Sequence, residues 1–99
     1  MRFYKSENYF VYIITNPGKS VLYTGMTNNL KRRLTEHYQG RGNKKHFASK
    51  YYCHKLLYYE IYNTPMEAIN REKEIKDFKR GKKLELIKTK NPGLNFLVI

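Results

Sequence analysis

Five side chains of this sequence form a set that can bind and cleave a phosphate. Tyr12 and Tyr23 lie in two apolar stretches, Arg33 and His37 lie in the basic segment that follows, and Glu72 is far downstream. A guanidinium offers phosphate oxygens a fixed fork of donors. A single carboxylate is enough to hold a magnesium ion that keeps most of its waters. The set therefore indicates chemistry on a phosphate group.

The basic segment predicts an amphipathic helix. Leu30, Leu34 and Tyr38 recur at intervals of four and form its apolar stripe, and at about 100° per residue Arg33 and His37 flank that stripe. Arg33 can thus reach a groove beside the neighbouring strands. Its alternative role is to extend along the core edge to a carboxylate. For His37 the alternative is a histidine at a helix C-terminus, where the dipole favours it.

Glu72 falls on the apolar side of a second predicted helix, between Ile69 and Ile75. Burying a carboxylate there without a partner costs roughly several kcal/mol of folding free energy. It must pair with a cation, bind a metal or lie at the mouth of a cleft. The alternative to a metal site is an ordinary salt bridge, for which the candidates are Arg33, Lys76 and Lys79.

The elements that must position these residues follow from local patterns. A turn at 16–19 joins two β-rich stretches into a hairpin, and Thr64 with Glu67 forms a capping box that starts a helix at Pro65. The glycine-bearing basic segment 39–50 has no clear period and predicts a mobile loop. We expect strands at 9–15, 21–24 and 55–62, with Gly25 closing the second strand, and helices at 27–38, from 65 to about 78 or 79, and at 82–88. The order is ββαβαα, an α+β fold, with an apolar tail at 94–99.

Composition bounds the class of protein. At 99 residues we expect one domain over 1–99, and the single Cys53 cannot form an internal disulfide, which favours a reduced, cytoplasmic location. Residues 1–7 lack the apolar core of a signal peptide. The net charge of +12 makes nucleic acid the leading partner. The alternatives are a basic surface that is merely solvated, and binding to ribosomes or anionic membranes. The expected nucleic-acid contacts are Lys31, Arg32, Arg41, Lys44 and Lys45.

The order and spacing of these motifs resemble the GIY-YIG endonuclease superfamily, over nearly the whole chain. The triplet at 10–12 (FVY) is followed after ten residues by the triplet at 23–25 (YTG), and Arg33, His37 and Glu72 come next in order. The segments 55–60 and 68–76 are similar to the ending of small stand-alone bacterial members. Each triplet alone is a weak signal, whereas their joint order is strong.

The resemblance implies a three-stranded antiparallel sheet flanked by about three helices, an α/β sandwich that cleaves phosphodiesters with one Mg²⁺ or Mn²⁺. It implies that Glu72 holds the metal, that Arg33 stabilises the phosphate and that Tyr23 is the base that activates water. Tyr12 would orient the water or share that role, and His37 would assist proton transfer or contact phosphate. Because a free tyrosine has a pKa of about 10, a phenol acting as a base at neutral pH needs nearby positive charge.

The chain departs from the family pattern at three positions. Phe10 stands in place of the first glycine, Thr24 in place of isoleucine, and Met26 where some members carry a polar group. The first two are backbone or packing positions and leave the chemistry intact. Met26 removes one possible phosphate contact, which bears on the rate and on the identity of the base.

Three functions remain open at this stage. The first is a DNA endonuclease, structure-selective and acting in repair or recombination, with specificity from DNA shape or from a protein partner. The second is a catalytically weak nucleic-acid-binding module. The third is a regulatory protein-interaction subunit that uses exposed tyrosines or the apolar tail.

Overall fold

The computed structural model describes residues 8–99, and the expectation made for residues 1–7 lies outside them. The predicted α+β fold and its sheet are confirmed, with one additional short helix before the third strand. The elements in chain order are β1 (Tyr9–Thr15), β2 (Leu22–Thr27), α1 (Leu30–Gln39), α2 (Phe47–Lys50), β3 (Lys55–Tyr62), α3 (Pro65–Lys76) and α4 (Arg80–Lys88).

The three strands form one antiparallel sheet in the order β2-β1-β3, so β1 is the central strand. Side chains alternate between the two faces of a strand. Val11 and Ile13 of β1 join the core that includes α3 and α4, while Tyr12 and Ile14 join the core that includes α1 and α2. The sheet is therefore covered on both faces, and Tyr12 is directed toward α1.

The prediction that Gly25 ends the second strand is wrong, because β2 continues to Thr27. Gly25 is paired with Tyr12 across the sheet, and a Cβ atom on Gly25 would lie 2.5 Å from Cζ of that ring. The glycine is thus required by the tyrosine packed on it. The strand extends beyond it because β1 supplies backbone partners up to Thr27.

Helix α1 begins later than predicted, at Leu30, with Asn29 as its cap; the Asn29 side chain accepts a hydrogen bond of 3.0 Å from the Arg32 amide. The buried side of the helix is also shifted from the predicted stripe. His37 is 4% exposed, whereas Tyr38 is 52% exposed. Tyr38 lies at the edge of the stripe, where its ring packs against His54 with 5.2 Å between centroids.

Local capping chemistry fixes the start of α3. Thr64 accepts a hydrogen bond from the Glu67 amide at 3.3 Å, and Pro65 is the first helical residue, as predicted. The helix ends at Lys76, two to three residues before the predicted end, and α4 begins two residues early, at Arg80.

The segment predicted as a mobile loop contains the one-turn helix α2, from Phe47 to Lys50. Ala48 and Ser49 of this helix are buried, and the Ser49 carbonyl accepts a 2.8 Å hydrogen bond from the Gly42 amide. These contacts hold the end of the segment against the core beside α1. Within residues 8–99, no helix has the length and apolar character needed to cross a membrane.

Candidate active site

The centre of the candidate site is a hydrogen bond of 2.8 Å between Tyr12 Oη and His37 Nε2. Burial, assisted by the positive charge of Arg33, lowers the pKa of His37 to about 4. The imidazole is therefore neutral at pH 7, and its Nε2 can accept the phenolic proton of Tyr12. Burial, together with the neighbouring Tyr23 phenol, raises the pKa of Tyr12 well above its usual value. Tyr12 consequently keeps its proton.

Tyr23 lies beside this pair at the entrance to the core. Its ring is half-buried and its centroid is 5.6 Å from that of His37, in an edge-to-face arrangement. On the other side it stacks on Phe47, with 6.3 Å between centroids and 24° between planes. Helices α1 and α2 thus fix the orientation of this phenol while leaving part of it open to solvent.

Arg33 is one turn before His37 on α1. Its Nη1 donates a 2.9 Å hydrogen bond to Oε1 of Glu36, so the carboxylate partner expected as the alternative role is present. The Arg33 side chain remains 39% exposed. Its positive charge also acts on the site, since it opposes the effect of burial on the pKa of Tyr12.

A cleft of about 380 Å³ opens between α1 and α2. It is bounded by Tyr23, Arg33 and His37, and by Phe47 and Ser49 of the short helix. The sequence did not identify Phe47 or Ser49 as part of the site. The available signal was an isolated aromatic residue inside a basic, glycine-bearing segment.

Glu72 approaches from α3, on the other layer of the sandwich. Its side chain is 20% exposed and lies 3.3 Å from the ammonium of Lys76, one of the predicted partners. The Glu72 carboxylate adds to the effect of burial in raising the pKa of Tyr12, which brings its charge within electrostatic range of the phenol. Glu72 therefore acts on the same group as Arg33, with opposite sign.

The preceding residue, Arg71, links this part of α3 to β3 through an ion pair with Glu60. Its guanidinium donates two hydrogen bonds of 2.9 Å to the carboxylate of Glu60, which also accepts bonds from the hydroxyls of Tyr58 and Tyr62. Hydrogen bonds from Arg71 and the two tyrosines outweigh burial and lower the pKa of Glu60 to about 2. The carboxylate stays ionised, so the ion pair holds the helix that carries Glu72.

The donor set bears on which metal the site can hold. Within residues 8–99, no three His, Cys, Asp or Glu side chains are grouped as metal ligands, which excludes a zinc-type cage in that range. A half-buried Glu72 with a partly exposed lysine as its partner fits a hard cation that takes one carboxylate and keeps its waters. The residues present thus fit a magnesium or manganese ion.

The five residues predicted to contact nucleic acid lie in three places. Lys31 and Arg32 are exposed on α1, and Lys44 and Lys45 are exposed in the turns before α2. Arg41 instead packs on Tyr38, with its guanidinium carbon 3.6 Å from the ring centroid. All five side chains are exposed.

Comparison with known proteins defines the class. A sequence model of the GIY-YIG catalytic domain matches residues 8–92. The chain belongs to the GIY-YIG family, a family of nucleases, and a nuclease domain implies a nucleic acid as substrate.

The relatives are small proteins of similar length. UPF0213 proteins of Staphylococcus aureus strains Mu3 and Mu50 are 42% identical over 82 residues, covering 83% of this chain and 96% of theirs. The solution NMR structure of the UPF0213 protein BH0048 from Bacillus halodurans is similar with a TM-score of 0.54 at 30% identity, covering 87% of this chain and 88% of that one.

Proposed function

We propose that this chain is an endonuclease that hydrolyses DNA phosphodiester bonds with the help of a divalent metal ion, and that residues 1–99 act as one nuclease domain in the cytoplasm. The observation that carries the proposal is the convergence at Tyr12. This phenol is hydrogen-bonded to His37, and the charges of both Arg33 and Glu72 affect its pKa. The nuclease family to which the chain belongs supports the same reaction.

The two tyrosines take different roles in this proposal. Tyr12 stays protonated, and its hydroxyl donates a hydrogen bond to His37. The lone pairs of the Tyr12 oxygen can then accept a hydrogen bond from the attacking water and orient it. Tyr23, half-buried at the cleft, takes the proton of that water as general base.

Arg33 and Glu72 stabilise the charges of the reaction. The guanidinium of Arg33 binds the phosphate and stabilises the negative charge that develops on its oxygens. To do so it exchanges part of its hydrogen bonding with Glu36 for the substrate. Glu72 would hold the metal ion, which supplies Lewis-acid polarisation of the phosphate when bound.

The test is cleavage of labelled single-stranded, duplex, nicked, flapped and branched DNA, and of RNA of matched sequence, with Mg²⁺ or Mn²⁺. We expect cleavage by the wild type and loss of cleavage in Glu72→Gln. The matched control is Glu85→Gln, which makes the same change on the exposed side of α4 and retains cleavage. Cleavage that survives Glu72→Gln, or that proceeds equally in EDTA, contradicts the metal assignment. Preferential cleavage of RNA contradicts the substrate.

A nucleic-acid-binding module with little activity is the second candidate. It is favoured by the ion pair of Arg33 with Glu36, which occupies the guanidinium, and by the net charge of +12. The same substrate panel separates the two functions. Binding without cleavage, unchanged by Glu72→Gln, is the result this candidate predicts.

A further inference from the structure

Helix α1 borders a second groove, on the side away from the catalytic cleft. This groove has a volume of about 370 Å³ and lies between α1, the start of β3 and the C-terminal tail. The tail is held there by a β-bridge in which the Leu97 amide donates a 2.8 Å hydrogen bond to the Leu56 carbonyl. We call it the tail groove; its polar and aromatic lining consists of Lys31, Thr35, Tyr38, His54, Lys55 and Phe96.

Cations in and around the tail groove rest on aromatic rings. The Arg41 guanidinium carbon is 3.6 Å from the centroid of Tyr38. The ammonium groups of Lys19 and Lys55 are 5.1 and 5.4 Å from the centroid of Phe96. Tyr38 is 52% exposed and Phe96 is 37% exposed. Each ring therefore still presents surface to solvent beside a positive charge.

No Asp or Glu side chain in the described part of the chain lies beside the cations of this surface to neutralise them. No Asp or Glu side chain is among the residues that line the groove, and Lys19, Arg41 and Lys55 form no ion pair with any carboxylate in residues 8–99. Exposed cations next to exposed rings are the combination by which proteins hold nucleic acid, through phosphate contacts and stacking.

We propose that the tail groove is a second nucleic-acid surface, which holds the substrate at a distance from the phosphate that is cleaved. The identity of the ligand rests on the proposed nuclease function. An α-helix with its side chains is about 10–12 Å across. At ~3.4 Å per nucleotide along a strand, a few nucleotides span α1 from the cleft to the groove. One substrate can therefore contact both sides of the helix.

The first experiment measures binding of a labelled oligodeoxynucleotide, single-stranded and duplex, by the full chain in EDTA over a range of salt concentrations. If Lys19 and Lys55 each neutralise one phosphate, Lys19→Gln/Lys55→Gln lowers the slope of log K against log salt by about 1.4 for a single strand and about 1.8 for a duplex. The matched control is Lys82→Gln/Lys88→Gln on α4. It removes the same charge, including a lysine 4.3 Å from the ring of Phe78.

A second pair of variants tests the ring. Phe96→Ala weakens binding by roughly 5- to 150-fold if a base stacks on it, and Phe96→Tyr, which keeps the ring, retains the affinity. Thermal melting of each variant checks that the fold is intact. Equal salt slopes in the groove and control variants, or equal affinities of Phe96→Ala and Phe96→Tyr, overturn the proposal.

A third arm separates this proposal from the nuclease function and from a lipid ligand. Binding in EDTA does not require cleavage. If the groove variants bind DNA more weakly but the wild type cleaves no substrate, the second surface is supported and the proposed nuclease function is contradicted. Anionic lipid vesicles are the competing ligand. Groove-dependent binding to vesicles with no groove-dependent binding to DNA assigns the surface to membranes and overturns the proposal.

Discussion

The two sides of α1 use the same kinds of residue in opposite ways. On the cleft side, Arg33 is paired with Glu36, and the Tyr12 hydroxyl is buried against His37. On the side of the tail groove, the cations lie over exposed rings such as Tyr38 and Phe96, with no Asp or Glu side chain among the lining residues in 8–99. On the cleft side the polar groups have fixed partners, whereas on the groove side the cations have no carboxylate side chain beside them.

This difference separates positioning from attraction. A reacting group must be held in one geometry, which requires buried hydrogen bonds and compensated charge. A surface that attracts a polyanion needs exposed positive charge, and its effect is screened by salt. Variants on the cleft side should therefore change the rate of cleavage, and variants on the other side should change affinity.

The largest effect is expected at Tyr23. If it is the general base, Tyr23→Phe lowers the rate of cleavage by about 10²- to 10⁴-fold while binding in EDTA is retained. Tyr12→Phe should cost less, because the raised pKa of Tyr12 keeps that phenol protonated in the wild type. Single-turnover cleavage measures both. The control is Tyr51→Phe, an exposed tyrosine whose ring packs on Phe47. A larger loss in Tyr12→Phe than in Tyr23→Phe reverses the assignment of the base.

Arg33 gives the next effect. Arg33→Gln removes the guanidinium that stabilises developing charge, which we expect to lower the rate by about 10²- to 10³-fold. Single-turnover rates at saturating DNA measure it, beside affinities in EDTA. Lys88→Gln on α4, also a loss of one positive charge, should leave the rate unchanged. If Arg33→Gln reduces affinity alone, the cleft side is not distinct from the groove side.

Gly25 tests the packing under the site. The Cβ of Gly25→Ala would overlap the Tyr12 ring, 2.5 Å from Cζ, and we expect the free energy of unfolding to fall by about 1–3 kcal/mol. Gly81→Ala is the matched control. It lies in α4 with no atom within 4 Å of the added Cβ, and should stabilise the chain by roughly 0.5–1 kcal/mol. Denaturant unfolding compares them, and equal shifts would show that Tyr12 does not require the glycine.

The smallest effect is on the pH dependence of stability. Because burial and Arg33 lower the pKa of His37 to about 4, the unfolded chain takes up this proton first as the pH falls. The contribution of His37 is therefore complete above about pH 6.5 and is lost between there and about pH 4. We expect His37→Gln to have a smaller change in stability over that window. Urea unfolding at several pH values measures it, and an unchanged slope contradicts a neutral, buried imidazole.

Sequence predicted those parts of the fold that depend on local chemistry. The bounds of β3 follow from its apolar and aromatic residues, and the start of α3 follows from the cap at Thr64 and Pro65. The parts it missed depend on distant contacts. A glycine is a plausible strand end unless the ring of Tyr12 is known to pack on it, and the one turn of α2 is too short to show a period.

The candidate site shows the same division. Spacing on α1 was enough to bring Arg33 and His37 to the edge of the core. It could not show that His37 is more buried than Tyr38, since that depends on the hydroxyl of Tyr12 on the neighbouring strand β1. The tail groove depends on the return of the C-terminal segment to β3, a pairing of Leu56 with Leu97 that no local pattern contains.

The covering of the sheet on both faces links activity to folding. Tyr12 packs with the α1 layer, while Glu72 is carried by α3, which packs on the opposite layer. Detachment of either layer would disperse the site before the whole chain unfolds. The first local unfolding event that detaches a layer should therefore abolish cleavage activity. During heating, we expect enzymatic inactivation to precede or coincide with the loss of secondary structure, and never to follow it.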